Sequence, residues 1–215
     1  LLQETLPVKE RTQSSTIQTI LGLRKVAKNP NFSSLLLVGA LIAAPFMAYL
    51  ALASYIYIDG FGVSETTFSM YFALNAGASI LGPVMYMRFG AGSVKKVISA
   101  GIMVAIISAI LILTIGNASP IIFLLSYVLY SIMTSYFRPL ISDLLLSATK
   151  TDVGATSSVM NFGFTVIGSI GMVVGSLQWS SYTGGLGITM LIFIALTMIV
   201  WLYLLKAKSI RFDWK

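Results

Sequence analysis

Six long apolar stretches divide the chain, and they restrict its possible folds more than any other feature of the sequence. They cover residues 33–58, 67–87, 97–115, 120–146, 156–177 and 186–205. A helix needs about 20 mostly apolar residues to cross the hydrocarbon core of a bilayer. Short connections rich in turn-forming residues separate the stretches, and none has the strict alternation of a barrel strand. The sequence therefore predicts an all-α membrane protein, a bundle of six transmembrane helices.

The composition excludes most soluble and enzymatic classes. Of the 215 residues, 57% are hydrophobic and only 10% are charged, whereas about a quarter of the residues of a soluble domain are charged. The chain has no Cys and no His, which removes disulfides, thiol nucleophiles, Cys or His metal ligands and Ser-His-Asp triads. We therefore expect no enzymatic activity and no metal site.

The net charge of +7 carries topological information. A nucleic-acid-binding protein would group its basic residues on one wetted face, but here thirteen of the fourteen Lys and Arg fall in alternate connections and in the two terminal segments. Lys and Arg collect on the cytoplasmic side of membrane proteins. The pattern predicts a multi-pass protein of the cell membrane with both termini in the cytoplasm and no nucleic-acid partner.

Two predicted cytoplasmic segments flank the six spans. In the first, residues 1–32, the stretch 16–29 places apolar side chains on one helical stripe with basic ones beside it. This is typical of an amphipathic helix lying in the membrane interface, and a solvated linker is the alternative. Residues 206–215 form the predicted cytoplasmic tail.

Polar and aromatic residues form stripes at helical spacing on the first, second, fourth and fifth spans. A helix that lines a substrate cavity needs such a stripe, whereas one that faces lipid can be apolar all round, so the third and sixth spans are predicted to be peripheral. The candidate substrate-cavity residues are Tyr49, Ala53, Tyr57, Phe72, Asn75, Tyr127, Tyr130, Thr134 and Asn161. The alternative for each is a hydrogen bond to a neighbouring helix.

Small residues indicate where helices approach closely. Ala40, Ala44 and Ala48 recur at every fourth position of the first span, and Gly171 with Gly175 forms a G-x-x-x-G pattern in the fifth. Such patterns are common at helix–helix interfaces in membranes.

Two charged residues are candidates for a gate or a charge relay. Arg138 is the only basic residue inside a predicted span, and it lies close enough to the cytoplasmic end for its side chain to reach the headgroups. The functional alternative is a charge at the inner mouth of a cavity, where it would pair with a carboxylate, a phosphate or substrate. Asp59 lies at the outer end of the first span, where a solvated acid is the simpler interpretation.

Four short motifs stand out: Glu-Thr-Leu-Pro at 4–7, Tyr-Ile-Tyr-Ile-Asp-Gly-Phe-Gly-Val-Ser at 55–64, Phe-Ala-Leu-Asn at 72–75, and Gly-Ala-Thr-Ser-Ser at 154–158. With the six helices, they resemble the C-terminal half of a major facilitator superfamily transporter, most closely the Bcr/CflA branch of drug:proton antiporters. The resemblance implies that the first and fourth spans line a central cavity, that the second and fifth meet the other half, and that the third and sixth face lipid.

The cytoplasmic loop signature of that superfamily has a weaker copy between the second and third spans. Gly82, Arg88, Gly90 and the pair Lys95–Lys96 are similar to it, but Tyr86 stands near the position where the superfamily has an acidic residue. We therefore do not expect a charge latch in this loop.

The resemblance implies half of a proton-coupled multidrug efflux transporter, of the kind that confers antibiotic resistance by alternating access. It needs no cofactor, since the proton gradient supplies the energy. The predicted partners are the lipid bilayer, a small amphipathic or cationic substrate, and either an N-terminal six-helix half or a second copy of this chain in a pseudo-symmetric homodimer. A proton-coupled symporter of nutrients or metabolites and a non-transporting docking module are the alternatives.

Overall fold

The computed structural model of the chain describes residues 23–24, 26–90, 92–148 and 153–206. Six helical spans follow one another in it: Pro30–Gly60, Glu65–Phe89, Val94–Thr114, Pro120–Ala148, Val153–Gly175 and Tyr182–Lys206. All six are long and apolar enough to cross a membrane, and the described ranges contain no strand. The predicted all-α bundle of six membrane helices is confirmed.

The two predicted terminal segments fall almost wholly outside the described residues. Of the stretch 16–29, the structure places Leu23, Arg24, Val26 and Ala27 in helical conformation. Of the tail, it describes only Lys206, which ends the sixth span.

The first span starts at a capped helix and ends in a π-helix. The Asn29 side chain accepts a hydrogen bond from the backbone N–H of Asn31 at 3.0 Å, and Pro30 occupies the first helical position, where a missing N–H costs nothing. The α-helix continues to Ser54, and a π-helix follows over Tyr55–Gly60. Wider turns of this kind are rare and occur mostly at functional sites.

The second span is two helices, whereas the sequence predicted one continuous span over 67–87. Glu65–Ser79 and Leu81–Phe89 meet at Ile80. Pro83 is the physical reason, because a proline has no N–H to donate to the carbonyl four residues earlier and its ring crowds that carbonyl. The carbonyl concerned belongs to Ser79, the last residue of the first helix.

The first span occupies the centre of the bundle. It packs against the fourth, fifth and sixth spans, while the third lies between the fourth and sixth and the second packs mainly on the fourth. The small residues predicted to allow close approach face one another across the closest of these interfaces. A Cβ added at Gly175 would lie 2.9 Å from that of Ala48, and one added at Gly171 would press into the backbone of Ala44.

The second and fifth spans are the least buried of the six. Large apolar side chains are exposed along both: Met70, Leu74, Ile80 and Met87 on the second, and Phe162, Ile170 and Val173 on the fifth. These are the two spans that the superfamily resemblance assigns to the contact with another half. That assignment stays a prediction.

Candidate functional site

The two ends of the bundle differ in charge. We call the end that carries Arg88, Lys95 and Lys96 the basic end, and the end that carries Asp59 and Glu65 the acidic end. The sequence predicts that the basic end faces the cytoplasm.

A cavity of about 350 Å³ lies in the half of the bundle nearer the basic end. The first and fourth spans form most of its wall, the fifth contributes Phe164, and the second contributes Pro83. The wall is apolar apart from Thr134, Ser135 and Arg138. An apolar cavity with a few convergent polar groups is the usual form of a small-molecule site, and its volume falls in the usual range for such sites.

Three helices around this cavity contain a proline; the second span is broken near Pro83, whereas the helices that contain Pro45 and Pro139 continue through them. Pro83 and Pro139 line it, and Pro45 directly precedes Phe46, which also lines it. Each proline leaves the carbonyl four residues earlier without its intrahelical donor; for Pro139 this carbonyl belongs to Ser135, itself on the wall. Irregular backbone at membrane depth is tolerated where it lines a cavity or is buried in protein, so the prolines and the cavity occur together for a physical reason.

Arg138 is held on one side of the cavity by an aromatic ring. Its guanidinium carbon lies 5.1 Å from the centre of the Phe164 ring on the fifth span, a cation–π geometry that contributes about 0.5–2 kcal/mol depending on solvation. Asp143, five residues later, faces a different helix, since its carboxylate accepts a hydrogen bond from the Tyr86 hydroxyl of the second span at 3.1 Å.

Nearer the acidic end, aromatic rings fill the space between the first, second and fourth spans. Tyr49 stacks on Tyr127 with ring centres 4.0 Å apart, and its other ring contacts include Phe72 at 6.1 Å. Tyr57, in the π-helix, stacks on Tyr71 at 5.1 Å and meets Phe123 edge-on. We call this group, with Phe61 and Phe68, the aromatic cluster. It closes the bundle interior at this end.

Some hydroxyls of the buried tyrosines have partners and others do not. Tyr130 donates its hydroxyl hydrogen to the carbonyl of Ile42, three residues before Pro45 in the first span. The hydroxyls of Tyr49 and Tyr57, and Oδ1 of Asn75, are buried without a hydrogen-bond partner among the residues that the structure describes. A buried polar group left unpaired costs about 1–3 kcal/mol.

The predicted site residues therefore separate into groups. Thr134 and Arg138 line the cavity. Tyr49, Tyr57, Phe72 and Tyr127 belong to the aromatic cluster. Ala53, Asn75 and Tyr130 are buried inside the bundle, Asn161 is exposed on the fifth span, and Asp59 is exposed at the acidic end. A substrate-binding role for the residues away from the cavity stays a prediction.

Sequence reasoning missed two features of the basic end. Phe164 is the first, since its distance from Arg138 depends on how the fourth and fifth spans pack. The second is a pair of polar contacts that the fourth span makes with the end of the second span and with the connection after it. Tyr86 of the second span donates to Asp143, and Tyr136 donates to the carbonyl of Gly90 in the connection at 2.7 Å. No charge latch was expected in this loop. Tyr86, near the position where the superfamily has an acidic residue, instead makes an uncharged donor to the carboxylate of Asp143 on the fourth span.

No family model matches the chain. A stretch of 115 residues is 30% identical to an uncharacterized MFS-type transporter, YdgK, of Bacillus subtilis (strain 168). This stretch is 53% of the chain and 28% of the length of that relative. The match supports the resemblance to the major facilitator superfamily, and the Bcr/CflA branch stays a prediction.

Proposed function

We propose that the chain is the C-terminal half of a major facilitator superfamily transporter, and that it works by alternating access to export small amphipathic compounds in exchange for protons. The six-helix bundle and the partial match to a protein named as a transporter support this proposal. In alternating access by transporters of this kind, the two halves rock about a substrate site near the bilayer midplane.

The cavity is the observation that carries the proposal. Transporters commonly build their substrate sites where helices are discontinuous, because broken helices free polar backbone groups within the membrane. Here the second span is broken at Ile80, near Pro83, and Pro45 and Pro139 each leave one carbonyl without its helical donor at or beside the cavity wall. The wall is apolar enough to hold a hydrophobic compound, and Thr134 with Arg138 offers hydrogen-bond donors to orient it.

The assembly follows from the same proposal. The exposed apolar faces of the second and fifth spans would be covered by an N-terminal six-helix half, or by a second copy of this chain related by an axis along the membrane normal. Both termini would then lie in the cytoplasm, on the side of the basic end.

Filling the cavity tests the transport function. Ala43 lines the cavity, whereas Ala100 is exposed on the third span, so Ala43→Trp and Ala100→Trp are a matched pair. A tryptophan at position 43 would occupy space that a substrate needs, and overpacking of this kind costs typically 1–3 kcal/mol. We therefore expect Ala43→Trp to reduce efflux of the neutral dye dansylamide from native membrane vesicles by roughly tenfold and Ala100→Trp to leave it unchanged. Equal efflux by both variants, at wild-type levels in the membrane, would contradict the assignment of the cavity.

The direction of coupling separates export from uptake. In inverted vesicles with a trapped pH dye, an antiporter releases protons from the lumen when substrate is added outside, whereas a symporter carries protons and substrate in together. A wild-type protein that moves no compound of a panel of lipophilic dyes, and no proton, would favour the docking module instead.

A further inference from the structure

The charge on the cavity wall is unbalanced. Among the residues that the structure describes, Arg138 is the only basic residue on this wall, and no acidic residue lines the wall with it. Within the described ranges, Asp59 and Glu65 lie at the acidic end, and the carboxylate of Asp143 is engaged by Tyr86 on the opposite side of the helix. The cation–π contact with Phe164 orients the guanidinium but leaves its charge uncompensated.

An exposed guanidinium beside an apolar cavity favours an anionic ligand. Arg138 is exposed and also lines the cavity, and an opposite charge that a ligand brings against the apolar wall is attracted more strongly than it would be in bulk water. The guanidinium presents several N–H donors in a planar fork that matches a carboxylate or a phosphate in two-point fashion. A cationic compound in the same cavity would meet a charge of its own sign within a few ångströms, which opposes binding.

We propose that the cavity binds amphipathic anions, with the acidic group on Arg138 and the apolar body against Ile42, Phe46 and Phe164. These side chains line one continuous cavity of about 350 Å³. The ligand chemistry is a carboxylate, sulfonate or phosphate joined to an apolar group of that size, whether it is a free solute or the headgroup end of an anionic lipid.

As a statement about transported substrate, this inference rests on the proposed transport function. It replaces the predicted substrate class, amphipathic or cationic compounds, with amphipathic anions. As a statement about binding, it holds for a protein that transports nothing, so equilibrium binding tests it independently of efflux.

Three dansyl probes that share one fluorophore provide the test: dansylglycine is anionic, dansylamide is neutral and dansylcadaverine is cationic. Binding to the chain in nanodiscs of phosphatidylcholine is measured by fluorescence. We expect dansylglycine to bind most tightly. In Arg138→Gln its affinity should fall by roughly ten- to hundredfold, since a hydrogen bond to a charged group contributes about 1.5–3 kcal/mol. Arg138→Lys should recover part of the affinity.

Two controls keep the result specific. Arg88→Gln removes an exposed arginine at the same end of the bundle but outside the cavity, and it should leave all three affinities unchanged. Binding of neutral dansylamide should persist in Arg138→Gln, which demonstrates that the cavity is still formed. Tighter binding of the cationic probe to wild type, or equal dansylglycine binding by wild type and Arg138→Gln, would overturn the proposal.

A second set of nanodiscs tests whether the bound anion is a free solute or an anionic lipid. When phosphatidylglycerol replaces a part of the nanodisc lipid, competition with dansylglycine that disappears in Arg138→Gln would identify an anionic lipid as an occupant. Unchanged dansylglycine affinity in those nanodiscs would identify a free amphipathic anion.

Discussion

A close contact between a glycine and the backbone of another helix gives the sharpest stability prediction. Gly171 of the fifth span lies against the backbone of Ala44 in the first. In Gly171→Ala, the new Cβ would lie 2.8 Å from the Ala44 carbonyl carbon and closer still to its oxygen, whereas real Cβ contacts are rarely shorter than about 3.4 Å. The fifth span would have to move outward, because the obstacle is the Ala44 backbone, which cannot rotate away as a side chain can.

The cost of this movement can be estimated from the packing. A radial gap of about 0.5–1 Å removes a quarter to a half of the dispersion energy of each contact, and in lipid such packing is a principal source of helix association. Overpacking costs typically 1–3 kcal/mol, and replacing Gly by Ala in a helix returns about 0.5–1 kcal/mol. We expect Gly171→Ala to lower the free energy of unfolding by about 1–2 kcal/mol.

Gly77→Ala is the matched control. Gly77 is helical, in the second span, and a Cβ there would meet no heavy atom within 4 Å. The variant should therefore be as stable as wild type or gain up to about 1 kcal/mol. Unfolding by steric trapping in bicelles measures both variants under reversible conditions. If Gly171→Ala is as stable as Gly77→Ala, the inferred backbone contact between the first and fifth spans is wrong.

Two further predictions concern the buried tyrosines and the orientation. Tyr130→Phe removes the hydrogen bond to the first span and should lower the free energy of unfolding by about 0.6 kcal/mol, at most about 1.7. Tyr49→Phe removes an unpaired hydroxyl and should not lower it. The same unfolding assay compares the two variants, and equal losses of stability would refute the distinction. Because the chain lacks Cys, Thr66→Cys and Lys96→Cys are unique labels: an impermeant maleimide on intact cells should modify only Thr66→Cys, and the reverse pattern would invert the predicted topology.

The helices could be predicted from the sequence because membrane insertion depends on a local property, the length of an apolar run. The positions at which the helices break or widen could not be predicted. The break at Ile80 has a local signal in Pro83, but hydropathy continues across it. The π-helix at Tyr55–Gly60 contains no Pro to mark it. Its wider turn brings Tyr57 into stacking distance of Tyr71 on another span, which is a tertiary contact.

The candidate site was predicted in part for a similar reason. Helical spacing identifies residues that share a face, and this was enough to select Thr134 and Arg138, which line the cavity. It does not identify the helix that covers the face. Tyr49 and Tyr127 lie on predicted cavity-lining stripes, but in this structure they stack on each other and close the interior. Phe164 entered the site only through the packing of the fifth span against the fourth.

The aromatic contacts and the glycine contacts of the first span differ in the energy terms that oppose them. In the aromatic cluster, each stacked pair contributes about 0.5–1.5 kcal/mol beyond its buried area, while each unpaired hydroxyl, as on Tyr49 and Tyr57, costs about 1–3 kcal/mol. These terms have opposite sign and similar size, so the cluster adds little net stability beyond burial. The contact of Gly171 and Gly175 with the first span is opposed only by the conformational cost of a helical glycine, about 0.5–1 kcal/mol. Tyr49→Phe keeps the ring and removes only the unpaired hydroxyl, whereas Gly171→Ala separates two packed helices, so Gly171→Ala should cost more.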